Sequence, residues 1–442
     1  MRLVVVGAGI AGLTAATELV ARGHDVVVLE ARDRVGGRIH GIEIGPHVWA
    51  DAGAAYLGDR HIALLALVKN LGLTTTPTVM KGRSRFALHG EPVSCEGRFP
   101  PLSAVALGEL FDDLDEVTRS VRVDAPWLGP NAAALDRLSV AEWVDARLKH
   151  PDARIFFPLF LGEMMAAEAR DISVLHMAFY LQSGGGIKFL NAFEGGAQAA
   201  RISGGACRLC AGLARQLAGR VKLRQPVLAI HQESGRVVVS TSTNTFQGDA
   251  VVVALPPLLA DAIDYRPRLT VRRAGSLTAA GCVVKVHLIF DSQVWHRHGL
   301  SGWSVNAEGP MLSTVDDSPA DGSIGVLTGF ITGSEARRFA ALSAVDQRTA
   351  VFKQLHRLFG GLPEARAFHV TDWLSADYSR GCYAALFGPG DWMTLGPHLT
   401  RPHGRVHWAG TETSTEFFGL MEGAIRSGRR AAGEIVRDLR PA

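Results

Sequence analysis

A chain of 442 residues is too long for one simple core, so two or three domains are expected. With 47% hydrophobic and 20% charged residues, the balance is that of a globular protein with ample core material. The formal charge of +3, without any Lys/Arg block, argues against nucleic acid and anionic membrane as partners, and five scattered cysteines argue against a secreted disulfide framework.

In chain order, residues 3–6 form a short apolar run of strand type. A helix-like stretch opens at Gly7 and ends near Arg22, and residues 26–29 read as a second strand, giving a βαβ unit. Met1-Arg2 and the apolar residues after it imitate a signal peptide, but Gly7, Gly9 and Gly12 break the run and no cleavage-type site follows. From residue 77 to 160 the text is mixed, with Pro-rich patches and helical periodicity around 107–117. Residues 203–223 look like another helix, followed by strands near Val227 and at 237–240. Residues 251–263 give a buried strand stopped by Pro256 and Pro257. Long alternating strands return at 282–290, and the C-terminal part repeats strand, Gly-rich turn and helix. No uncharged run is long enough to span a membrane, and the closing EIVRDLRPA carries no hydrophobic tail. The expectation is a soluble cytoplasmic protein in which one domain, built from separated segments, is interrupted by another.

Gly7-Ala8-Gly9-Ile10-Ala11-Gly12 fits G-x-G-x-x-G between a strand and a helix. Such glycines permit the tight turn, the approach of a pyrophosphate to the backbone and close packing of helix on strand. The helix N-terminus then offers free N–H groups and a positive dipole end to the phosphates. Glu30 closes the second strand at the spacing where a carboxylate binds ribose hydroxyls, which disfavours a 2′-phosphate.

The next residues, EARDRVGGRIH, place Gly36-Gly37-Arg38 directly after the acid, and this resembles the second motif of a large FAD-binding family. RVHWAGTETSTEFFGLMEGAIRSGRRAA (405–432) resembles the C-terminal signature of flavin-containing amine oxidases, particularly monoamine oxidases. With DAGAAYLG (51–58), KLRQPV (222–227) and YSRGCYAAL (378–386), the likeness runs over almost the whole chain.

The resemblance implies an α/β fold: a Rossmann-like FAD-binding domain from residues 1–80, 203–277 and 376–442, with an inserted mixed α+β substrate domain from 81–202 and 278–375. It implies that Gly7, Gly9, Ala11, Gly12 and Glu30 hold the ADP half of FAD. Arg32, Gly37, Arg38, Gly53, Ala54, Ala55 and Tyr56 would line its phosphates and flavin, with Trp373 also on the cofactor. Val227 would meet the adenine end through its backbone, Glu412 would stand near the ribityl chain, and Met421 would start a helix facing the flavin. A helix N-terminus there stabilises the negative charge of a reduced flavin.

Cys382 stands where monoamine oxidases carry the cysteine joined to the flavin 8α-methyl, so a covalent FAD is expected; a buried, unreactive thiol is the alternative. Lys285, in CVVKVHLIF, matches a lysine that holds a water against flavin N5 and promotes the reaction with oxygen. An exposed strand lysine is the ordinary reading, but its apolar neighbours point to burial and a lowered pKa. Tyr383 matches one wall of the paired aromatic cage that steers the amine; the other wall, normally aromatic, is Leu420. Gln198 matches a glutamine near the substrate pocket, and Phe330, Glu163 and Asn191 are further candidates. Glu163 could recognise a second cationic group, against the commoner reading of a solvated or capping acid. Cys207-x-x-Cys210 and His296-x-His298 lack further ligands, and no metal is expected.

The implied reaction is dehydrogenation of an amine to an imine, hydrolysed to aldehyde or ketone plus ammonia or amine, with O2 reduced to H2O2. Its partners are a small amine and O2; a homodimer stays open. An L-amino-acid oxidase, a flavin desaturase and a noncatalytic flavin-binding protein are the rivals, the first needing an arginine placed to hold a carboxylate.

Overall fold

Short runs of apolar, mostly β-branched residues, drawn from distant parts of the chain, pair into one parallel sheet. In the computed structural model, which describes residues 1–45 and 48–438, its strand order is Val221–Lys222, β2 (Asp25–Leu29), β1 (Arg2–Val6), Ala250–Val253 and Val406–Trp408. Every pairing is parallel, with Val4 opposite both Val27 and Val251. Parallel strands are covered on both faces, so they read as continuous valine runs without alternation. The last four residues of EIVRDLRPA lie outside the described residues.

α1 (Ile10–Ala21) follows β1 and packs against the C-terminal helix Met421–Asp438. The two backbones approach so closely that a Cβ on Gly428 would stand 2.3 Å from the Ala11 carbonyl oxygen. Small residues at this crossing are what let a late segment cover an early one.

A second sheet has seven strands, in the order Ala367–Asp372, Val283–Phe290, Gly325–Thr332, Ser313–Asp316, Leu300–Asn306, Arg83–Ala87 and Val93–Cys95. It is antiparallel except where Leu300–Asn306 runs parallel to Arg83–Ala87. Strand Val283–Phe290 alternates as expected, yet all eight of its residues are buried. Val284, Val286, Leu288 and Phe290 pack into a core with Phe339 and Leu355 of the helices Gly333–Ala340 and Ala344–Phe359. The opposite row, which carries Lys285 and His287, is buried too. A third group, the helices Ala104–Arg119, Val140–Arg147, Pro151–Met165 and Val174–Ser183, closes over its own aromatic-rich core.

Two stretches differ from their sequence reading. Residues 203–223 are a turn through Gly204 and Gly205, the helix Cys207–Gln216, and the edge strand Val221–Lys222. Pro257 does not simply stop a strand but occupies the first turn of a short helix, Pro257–Ala260, where its missing N–H costs nothing. Among the described residues, no helix is long and apolar enough to cross a membrane.

Candidate active site

A cavity of about 580 Å³ runs from the carboxyl ends of the parallel strands to the buried row of the seven-stranded sheet. The position follows from topology, since ligands of open parallel sheets bind outside the strand C-termini. At this end Gly7 has φ +98°, and a Cβ there would meet the Ala254 carbonyl oxygen at 2.8 Å. A Cβ on Gly12 would lie 2.0 Å from the Gly7 carbonyl oxygen, so Gly12 packs behind the loop while Gly7, Gly9 and Ala11 line the cavity. Glu30 directly follows β2, buried at the wall; its two oxygens accept the N–H groups of Ala8 at 2.8 Å and Arg32 at 2.9 Å. The carboxylate is thereby fixed before any ligand arrives. Arg32 donates to the Tyr378 carbonyl at 3.0 Å and to Ser379 Oγ at 2.8 Å, joining the first segment to the stretch around Cys382. Gly37 and Val227 also line this half.

The middle of the cavity is organised by Arg38. Its guanidinium donates to both Glu412 oxygens, at 2.5 and 3.0 Å, and to the Tyr383 carbonyl at 2.9 Å. Burial by itself would raise the Glu412 carboxyl, but Arg38 outweighs it and holds that carboxyl below its ordinary value. Glu412 stands behind Arg38 and also accepts the Ala385 N–H at 3.1 Å; it does not reach the cavity wall. Trp373 likewise stands back, donating its indole N–H to the Ala52 carbonyl at 2.8 Å, and so supports the loop from which Gly53, Ala54, Ala55 and Tyr56 do line the wall. A Cβ on Gly53 would lie 2.0 Å from the Arg38 carbonyl oxygen, so this crossing admits glycine alone.

Lys285 is buried, with Nζ donating to the carbonyls of Asp51 at 2.7 Å and Gly53 at 2.9 Å and lying 4.9 Å from the Phe330 ring centre. Burial lowers its pKa, against the opposing charges of Asp317 and Asp51. An ammonium has three donors, so one remains beyond the two carbonyls. Asp51 itself is pushed up to about 7 by burial while its Oδ1 accepts the Ala206 N–H at 2.8 Å. Cys382 lines the same wall, buried, and burial pushes its thiol up to about 11 despite nearby Arg38 and Lys285. Met421 and Ala424, in the first turn of the C-terminal helix, line the cavity beside it.

Tyr383 and Leu420 both face the cavity, and Tyr180, whose hydroxyl donates to the Met164 carbonyl at 3.1 Å, lies alongside. At the far end Glu163, Gln198, Phe193, Trp303 and Phe330 form the wall. Here the structure brings in a residue for which the sequence gives no signal. Arg98 donates to Glu163 at 2.8 and 2.9 Å and to Gln198 Oε1, and lies 4.6 Å from the Phe193 ring centre and 4.5 Å from that of Trp303. Glu163 is therefore an ion-paired acid. Asn191 is outside the cavity wall: its amide donates to the Ile187 carbonyl at 3.0 Å and to Met164 Sδ at 3.1 Å. His61 and His176 line the cavity as well, also without a sequence signal. Among the described residues no cluster of His, Cys, Asp or Glu is arranged for a metal ion.

A glycine cradle, a fixed ribose-type acid and an apolar chamber in one continuous space fit a flavin dinucleotide with a small substrate beside it. Comparison with known proteins agrees. The model of the flavin containing amine oxidoreductase family matches residues 10–436. The flavin-containing amine oxidase A of Canis lupus familiaris is 31% identical over 99% of this chain and 85% of its own. The structure of cyclohexylamine oxidase from Brevibacterium oxydans is 31% identical, with a TM-score of 0.93 over 99% of both chains. That of putrescine oxidase bound to putrescine is 28% identical, again with a TM-score of 0.93 over 99% of both. The match over nearly the whole chain places this protein in the flavin-containing amine oxidoreductase family.

Proposed function

We propose that this FAD-dependent amine oxidase takes an uncharged small amine between Tyr383 and Leu420, with Lys285 serving the oxygen reaction and Cys382 tethering the cofactor. What carries the reading is that the glycine cradle, Lys285, Cys382 and Tyr383 share one cavity. Residues 1–80, 203–277 and 376–442 would make the FAD-binding domain, and 81–202 with 278–375 the substrate domain.

When bound, FAD would supply the electron acceptor, taking a hydride equivalent from the amine and passing two electrons to O2, whose two protons come from that hydride and from the iminium as it becomes the neutral imine. The chain's residues supply the surroundings. Arg38, held by Glu412, is fixed in the wall at the middle of the cavity, and the N-terminus of the helix at Met421 adds a partial positive charge. Tyr383 offers an apolar ring face along which the substrate nitrogen is steered. The chamber excludes water until the imine leaves, and no side-chain base is required if the amine enters neutral. The thiol of Cys382 ionises poorly in its buried surroundings, so tethering depends on positioning beside an already bound FAD.

One preparation tests both parts. Purified protein loaded with FAD should bleach anaerobically with simple apolar amines and release peroxide and the carbonyl product when air is admitted. Acid-precipitated wild type should stay yellow and exceed the polypeptide mass by one FAD, while Cys382→Ser should release its flavin to the supernatant. A flavin that no amine bleaches overturns the oxidase role, and a colourless wild-type pellet overturns the tether.

A further inference from the structure

The substrate end of the cavity contains one carboxylate, Glu163, and its charge decides which second group an amine can carry. A bare carboxylate in an apolar chamber would favour a diamine, whose distal ammonium would pair with it. Here the carboxylate already has a partner. One Arg98 nitrogen, Nη2, donates to both Glu163 oxygens, a charge-assisted pairing. The side chains of Arg98 and Glu163 are only 9% and 13% exposed, so water does little to loosen them.

Arg98 is itself held on every side. Its guanidinium lies against the rings of both Phe193 and Trp303, which meet edge to face with centres 5.3 Å apart. Its own carbonyl accepts the Trp303 indole N–H at 3.1 Å, which ties backbone and side chain to the same aromatic residue. Gln198, on the cavity wall, accepts another of its N–H groups. The guanidinium is thus committed to Glu163 and Gln198 and offers no free fork to a carboxylate-bearing substrate. The Arg98–Glu163 pair has a net charge of zero, and apolar Phe193, Trp303 and Phe330 share the cavity wall with Glu163.

We propose that Arg98 is a specificity-determining residue: by neutralising Glu163 it restricts the enzyme to amines with an uncharged, apolar tail, against diamines and amino acids. This rests on the amine-oxidase reading above and names its substrate class. Discrimination comes from unpaired charge, since either a distal ammonium or a distal carboxylate would be desolvated without a partner.

Three probes of one chain length separate the terms: hexylamine, 1,6-diaminohexane and 6-aminohexanoate. Wild type should prefer hexylamine over both others in kcat/KM by about tenfold or more. Arg98→Met, which keeps an apolar filling against Phe193 and Trp303, exposes the Glu163 charge and should move the diamine-to-hexylamine ratio up by at least about tenfold. Glu163→Gln frees the Arg98 fork and should move the 6-aminohexanoate-to-hexylamine ratio upward instead. A merely structural role would lower all three substrates together. If Arg98→Met fails to fold with FAD, the wild-type ranking and Glu163→Gln still decide. A wild type that prefers the diamine, or variants that keep the wild-type ratios, overturns the role of Arg98 alone. Failure of every amine to bleach the wild-type flavin would remove the amine-oxidase reading and this proposal with it.

Discussion

Lys285 sits in surroundings far from those an ammonium ordinarily has. An ammonium usually sits in water, yet here it is buried against two carbonyls and an aromatic face. Replacing it with methionine keeps the volume and removes the charge and donors. Lys285→Met should slow oxygen reoxidation of the reduced enzyme on the order of a hundredfold, the usual effect of losing one oriented donor. Anaerobic reduction by substrate should change far less. Stopped-flow measurement of both half-reactions checks this, and equal slowing would remove the assignment. At this scale the sequence is unevenly legible. The glycine loop and Glu30 are readable because local backbone geometry demands them within thirty residues. Lys285 is readable from the apolar row around it. Arg98 is not, because its pair with Glu163 forms across the fold and no spacing encodes it. Trp373 and Glu412 carry the family pattern, but only the folded chain shows that they hold the wall from behind.

Among the elements, the C-terminal helix carries a device that its periodicity does not reveal. Glu422, in its first turn and completely buried, accepts the N–H groups of Ala63 at 3.1 Å and Leu64 at 2.7 Å. These are first-turn amides of helix Ile62–Asn70, so one carboxylate caps a distant helix and is attracted to its dipole. Arg426, one turn on, steadies the same carboxylate at 2.7 Å. Glu422→Ala should cost about 2–4 kcal/mol in denaturant unfolding, because two buried donors lose their acceptor. It should also weaken FAD binding, since Met421 and Ala424 of the same turn line the cavity. Glu422→Gln keeps one acceptor and should fall between; equal stability of all three proteins would show that the cap contributes nothing. The helix itself is legible from its spacing of small and apolar residues. The division of 203–223 is not, because Val221 and Lys222 become a strand by pairing with Val28 and Leu29, a choice made by the sheet.

For the molecule as a whole, buried histidines make stability sensitive to acid. Burial pushes His176 and His287 down to about 3 and His61 to about 4. The unfolded chain takes up these protons near pH 6.5 whereas the folded chain refuses them, so stability falls as pH drops from 6.5 towards 4, by about 1.4 kcal/mol per pH unit for each histidine. Asp51 works the other way: held protonated up to about 7, it adds stability as pH falls through the same window. Half-buried His40, also lowered to about 4, adds to the histidine side, while burial raises Asp136, Asp171, Asp316 and Asp391 and adds to the side of Asp51. His176 accepts the Trp392 indole N–H at 3.1 Å, a role that an uncharged glutamine can take over. In His176→Gln the dependence between pH 6 and 4 should flatten by about 1.4 kcal/mol per unit, read from urea midpoints. An unchanged slope would show that His176 titrates normally.

The crossing of Gly428 on Ala11 also sets a timetable for synthesis. Helix α1 leaves the ribosome some four hundred residues ahead of the helix that covers it. At roughly 5–20 residues per second, that face waits on the order of half a minute without its cover. Strand Val406–Trp408 and the turn at Met421 arrive equally late, and the cavity has no complete wall before them. Cofactor loading therefore waits for these late segments, and a nascent chain stalled before them would stay colourless however much flavin the cell holds.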